Sequence, residues 1–113
     1  ITGFVYENMQ NFIISDIQQT LPKNIYGKID EEGLFITYTA FKHLSKYVKL
    51  GERSFKKLLL NYGLAEGRSG KLLKDTSFSV AGLKVNGYKI NLNLKESINK
   101  QTITGNEEAP IDF

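Results

Sequence analysis

Residues 4–20 place Val5, Met9, Phe12, Ile13 and Ile17 three or four positions apart. That spacing predicts an amphipathic helix with one buried stripe, closed by Leu21-Pro22. Lys23 to Lys28 reads as a connector containing Gly27, and Asp30-Glu31-Glu32-Gly33 as a turn. The β-branched and aromatic run Leu34-Phe35-Ile36-Thr37-Tyr38 predicts a strand. Thr39 suits the N-cap of a second helix over 40–48, with Ala40, Phe41, Leu44 and Val48 inward and Lys42, Ser45, Lys46 and Lys49 outward. Leu50-Gly51-Glu52 breaks it, since glycine tolerates the positive φ of a helix end. A third helix follows over 53–62, with Phe55, Leu58, Leu59 and Tyr62 as its buried stripe and Gly63 beyond its end.

Leu72-Leu73 and Phe78–Val80 are expected pieces of a second strand, interrupted at Ala81-Gly82 by a bulge or bend. Asn86-Gly87 signals a two-residue hairpin, because a type I′ turn needs positive φ at both centres. Around it, Leu83, Val85, Tyr88, Ile90, Leu92 and Leu94 are expected to share an apolar side, opposite Lys84, Lys89, Asn91 and Asn93. The resulting order is helix, strand, helix, helix, strand, strand. It predicts an α+β winged helix-turn-helix domain over residues 1–94, followed by a polar acidic tail over 95–113 that is expected to lack structure.

The chain has 113 residues and a net charge of +3, with no cysteine, one histidine and no apolar run long enough for a membrane span. That size fits one small domain, and the absence of cysteine excludes a disulfide scaffold and fits a cytoplasmic location. The chain starts at Ile1 and shows no signal-peptide pattern, so it reads as a fragment of something longer. Dividing the charge changes the picture. Residues 1–41 carry −3, residues 42–89 carry +8 from eleven cations and three anions, and residues 90–113 carry −2. Clustered cations of this kind are what a phosphate-binding face requires.

No catalytic set can be assembled, so the chain itself is expected not to be an enzyme. The run Glu66-Gly67-Arg68-Ser69-Gly70-Lys71 lacks the spacing of a phosphate-binding loop, Asp30-Glu31-Glu32 reads as a solvated turn, and His43 has no partner suggested by spacing. The third helix carries the binding chemistry instead. Ser54, Lys57 and Asn61 are expected to enter the major groove of double-stranded DNA, while Lys46, Lys49, Arg53 and Lys56 hold phosphates. Arg68, Lys71, Lys74, Lys84 and Lys89 are expected to lie along the adjacent backbone or minor groove. No metal ligands and no cofactor are expected in this chain.

The last residues, Asn106 to Phe113, include Glu107, Glu108, Ile111, Asp112 and Phe113. This acidic segment closing on phenylalanine resembles the tips of bacterial single-stranded-DNA-binding proteins, although its Pro-Ile-Asp-Phe order departs from their usual Asp-Ile-Pro-Phe. The resemblance implies docking on a replication partner. The plainer reading is a solubilising tail.

Tyr26-Gly27-Lys28, the run Asp30-Glu31-Glu32-Gly33-Leu34-Phe35-Ile36, the helix pair, Gly63-Leu64 and Gly87-Tyr88-Lys89-Ile90 together resemble a known family. They are similar to the C-terminal winged-helix module of the MCM-like AAA+ replicative helicases and initiators of staphylococcal pathogenicity islands and cassette chromosomes. The resemblance is one of pattern and covers roughly residues 1–94. It implies a DNA-binding appendage of a hexameric, ATP- and magnesium-dependent parent, with Ser54, Lys56, Lys57, Asn61, Lys84 and Lys89 facing origin or duplex DNA. The alternatives are a transcriptional repressor or antirepressor domain, or a protein-interaction module that docks on replication proteins.

Overall fold

The structure, a computed structural model, describes residues 1–15, 22–70, 72–80 and 82–95. Along the chain come α1 (Thr2–Glu7), a 3-10 turn (Met9–Asn11), β1 (Phe12–Ile14), β2 (Gly27–Asp30) and β3 (Gly33–Thr37). These are followed by α2 (Tyr38–Tyr47), α3 (Glu52–Asn61), β4 (Thr76–Val80) and β5 (Leu83–Ile90). All five strands join one sheet in the order β1-β2-β3-β5-β4, with β1 parallel to β2 and every other pair antiparallel. This α+β half-barrel is not a winged helix. Three strands precede the helix pair where the expected winged order has one, and the strands after it extend the same sheet.

The first departure lies in the segment expected to form one long helix. That helix ends at Glu7, where Asn8 leaves helical geometry (φ −116°, ψ 28°) and donates from its side chain to the Phe4 carbonyl at 2.9 Å. Phe12-Ile13-Ile14 then alternates, with Phe12 and Ile14 buried and Ile13 on the opposite face, and pairs with Gly27-Lys28-Ile29. An apolar triplet fits both helical and strand periodicities, and here the available partner strand decides. The expected connector thus ends as β2, and Ile17 lies outside the described residues.

The helix pair forms close to its predicted bounds, but its caps differ. Thr37, not Thr39, caps α2, its Oγ1 accepting from the Ala40 N–H at 3.2 Å. Both helices close in Schellman motifs: Leu50 N–H donates to the Ser45 carbonyl and Lys49 N–H to Lys46, while Leu64 donates to Leu59 and Gly63 to Leu60. The left-handed residue after α2 is Lys49, with φ 62°, whereas Gly51 has φ −67° and is the N-cap of α3.

The sheet has an inner and an outer apolar face. Phe12, Ile14, Ile29, Leu34, Ile36 and Ile90 pack beneath Phe4, Val5, Ala40, Phe41, Leu44, Phe55 and Leu59 of the helices. On the other face Phe35, Phe78 and Val80 form a second cluster with Ile13, Ile25 and Val85. Asn86-Gly87 is not a turn. It lies inside β5, where Gly87 faces Thr37 on one side and Thr76 on the other. The hairpin reverses between the paired Val80 and Leu83 instead, and Gly82 has φ 83°. Without a turn at 86–87 the faces do not swap, so Val85 joins the second cluster while Tyr88 and Ile90 face the helices. Leu83, expected on the apolar side, is exposed.

Candidate nucleic-acid interface

Helix α3 buries a narrow stripe, Phe55 and Leu59, and leaves about half its circumference in solvent. At about 100° per residue, its exposed side chains run around the helix in the order Arg53, Lys57, Asn61, Ser54, Leu58, Tyr62. Leu58 and Tyr62 were expected in the buried stripe, yet they are 39% and 73% exposed. The helix sits at the rim of the core, where only one of its apolar flanks is covered. Exposed Lys42 and Lys46 on α2 and Lys49 in the joining turn add to the same helical unit.

Ion pairing distinguishes this unit from most of the sheet, where among the described strand lysines only Lys84 lacks an ion pair. On the sheet and its loops, Lys28 lies 3.6 Å from Asp30, Lys74 3.7 Å from Glu66, Lys89 3.6 Å from Glu32 and Lys95 3.3 Å from Glu31. Among the described residues, Lys42, Lys46, Lys49, Arg53, Lys56 and Lys57 form no such pair. Glu52 is the only acid between Tyr38 and Asn61. The cations of the helix pair therefore keep an uncompensated field, which is the condition for attracting a polyanion.

Not every expected contact residue belongs to this face. Lys56 is half-buried, its Nζ 5.1 Å from the centroid of Tyr88 and 6.0 Å from that of Phe41. It packs against the sheet instead of pointing out. Lys84 and Lys89 fall on opposite faces of β5, since no turn intervenes, and Lys89 leans over Phe35 at 5.7 Å on the side away from the helices. Lys74 is engaged with Glu66, whose carbonyl also accepts from the Lys74 N–H, and Arg68 is exposed in the loop after α3. Lys71 and the tail residues Glu107, Glu108, Ile111, Asp112 and Phe113 lie outside the described residues.

Two tyrosines that sequence reasoning did not single out fix α2 in place. Tyr38 donates its hydroxyl to Asp75 at 2.7 Å, and that hydrogen bond, with desolvation and the nearby carboxylate charge, pushes its pKa up to about 12. Tyr47 donates to Glu7 at 3.1 Å, which raises its pKa by the same mechanism. Neither partner could be inferred from spacing, because 37 and 40 residues separate the members of the two pairs. His43 is exposed and stacks on Tyr26 at 5.7 Å.

A cavity of about 490 Å³ opens on the other side, lined by Phe35, Phe78, Lys28, Lys89, Asp30 and Glu32 among others. Its lysines are answered by carboxylates in its own wall. Among the described residues no cluster of three or more metal-ligating side chains occurs, and no helix is long and apolar enough to cross a membrane. Comparison with protein-family models, with curated proteins and with solved structures finds no match to this chain.

Proposed function

We propose that the chain is a non-catalytic DNA-binding module that engages phosphates through the exposed faces of α2 and α3. The observation that carries this reading is the contrast in ion pairing. Lys28, Lys74, Lys89 and Lys95 on the sheet and its loops are answered by Asp30, Glu66, Glu32 and Glu31, while the exposed Lys42, Lys46, Lys49, Arg53 and Lys57 of the helix pair have no carboxylate partner among the described residues. Arg53 and Lys57 form the phosphate-binding edge, with Lys42, Lys46 and Lys49 extending it, and Ser54 and Asn61 supply hydrogen-bond donors beside them. Its place within an AAA+ replication initiator or helicase comes from the sequence resemblance, whose winged-helix fold the structure does not share, and its cytoplasmic location from the absence of cysteine. The groups that bind ATP and magnesium belong to that parent and not to this chain.

Fluorescence anisotropy with a labelled duplex tests the reading. At about 50 mM salt the wild-type chain is expected to bind, and the logarithm of affinity to fall with a slope of about −0.9 per phosphate contacted. Arg53→Glu with Lys57→Glu is expected to abolish binding, whereas Lys74→Glu, at a cation already paired with Glu66, leaves most of it. Retention of DNA by the Arg53/Lys57 double variant overturns the assignment of this face.

A further inference from the structure

The exposed half of α3 is graded across its width. Arg53 and Lys57 occupy one edge, Asn61 and Ser54 the middle, and Leu58 and Tyr62 the opposite edge. That sequence of chemistries, cation, hydrogen-bond donor, apolar ring, repeats the order from phosphate to base in a nucleic-acid strand. Among the described residues Tyr62 is the most exposed of the large hydrophobic side chains, at 73%. Lys57 and Tyr62 are separated by a rise of about 7.5 Å and by about 140° around the helix, so a phosphate held at one edge and a base stacked at the other belong to neighbouring nucleotides of one strand. In a duplex the faces of the bases are covered by their stacked neighbours, and a ring at this position has only edges and backbone to touch. An unpaired base offers a free π-face, and stacking of this kind is tolerant of sequence.

We infer that α3 prefers single-stranded DNA, holding phosphates with Arg53 and Lys57 and stacking an unpaired base on Tyr62 beside Leu58. This preference rests on the DNA-binding reading above and names the form of DNA that the same face takes. Because Tyr62 stands mostly in solvent at the end of α3, replacing it leaves the buried stripe of Phe55 and Leu59 untouched.

The test compares a labelled oligothymidylate of about 20 nucleotides with a duplex of equal length, using the whole chain at about 50 mM salt. The wild type is expected to bind the single strand more tightly. Tyr62→Ala is expected to weaken single-strand binding by about 5- to 100-fold, the range for one lost stacking contact, while duplex affinity changes less than about twofold. Tyr62→Phe, which keeps the ring, is expected to behave as wild type. Equal affinity for the two forms, or an unchanged single-strand affinity in Tyr62→Ala, overturns the preference and leaves phosphate binding standing. Failure of the wild type to bind either form overturns both readings.

Discussion

The ammonium of Lys56 lies 5.1 Å from the centroid of the Tyr88 ring, so a cation of α3 is bound to the sheet and not to solvent. Tyr88 also meets Tyr38 and Phe41 edge-on, at 5.1 and 4.9 Å, which makes it the joint between α2, α3 and β5. Lys56→Ala is therefore expected to destabilise the fold by about 0.5–2 kcal/mol through lost cation–π attraction and lost packing of the lysine stem. Its effect on DNA affinity should be much smaller than that of Lys57→Ala. Urea denaturation together with anisotropy on the two variants separates the roles, and a reversed ranking would show that Lys56 leaves Tyr88 to contact DNA.

Glycines 27 and 87 stand on either side of β3, and a Cβ at Gly27 overlaps the Phe35 carbonyl, one at Gly87 the Ile36 carbonyl. Both clashes are with backbone, which cannot swing aside as a side-chain end would. Gly27→Ala and Gly87→Ala are each expected to cost about 1–3 kcal/mol or more by overpacking. Gly51, with nothing within 4 Å of an added Cβ, supplies the control. Its alanine variant should keep a urea midpoint much closer to wild type than either of the other two.

The same glycines show where the sequence was readable. The helix pair followed from two 3–4 stripes and a break, because local periodicity and tertiary burial agree there. Asn86-Gly87 misled because glycine serves two purposes: it permits positive φ in a turn, and it lets strands approach closely inside a sheet. The second applies at Gly87, and only the neighbouring β3, whose Thr37 pairs with it from far earlier in the chain, reveals it. Phe12-Ile13-Ile14 was ambiguous for the same reason, its strand identity depending on Gly27-Lys28-Ile29. At the candidate interface the charge clustering was visible in the sequence, but the division into answered and unanswered cations required the pairings of Asp30, Glu32 and Glu66. The exposure of Leu58 and Tyr62 was hidden because a helix at the rim of a core buries fewer apolar positions than its pattern offers.

Lys49 holds a left-handed conformation, φ 62°, at the position after α2 where glycine is favoured. Its side chain gains nothing from that backbone, and among the described residues it has no carboxylate partner. Lys49→Gly is expected to stabilise the chain by about 0.5–1 kcal/mol, the cost of holding a non-glycine residue there. If Lys49 also contacts a phosphate, the same variant lowers the magnitude of the salt slope of DNA binding by about 0.9. A thermal melt and a salt titration on one variant read the two effects independently; a lower melting temperature would sink the conformational argument.

The hydrogen bond from Tyr38 to Asp75 links α2 to the segment before β4, and it leaves a pH signature. Tyr38 has its pKa raised from 10.0 to about 12 in the folded chain, first by donating to Asp75, then by desolvation and by the carboxylate charge. The neutral phenol is the form the fold favours, so the unfolded chain releases this proton at lower pH than the folded one. The stabilisation is fully present below pH 10 and declines as pH rises from about 10 to about 12, where the phenolate forms in both states. Ultraviolet titration of phenolate should show a tyrosine ionising late, and Asp75→Asn should bring that ionisation down towards the ordinary range. Tyr47, raised by its bond to Glu7, provides an internal comparison that Asp75→Asn leaves unchanged. Tyr38→Phe should remove this ionisation while leaving that of Tyr47, and cost about 0.5–1.5 kcal/mol at neutral pH, with the difference from wild type shrinking above pH 10. A constant difference across that range would mean that the hydroxyl of Tyr38 is solvated and not committed to Asp75.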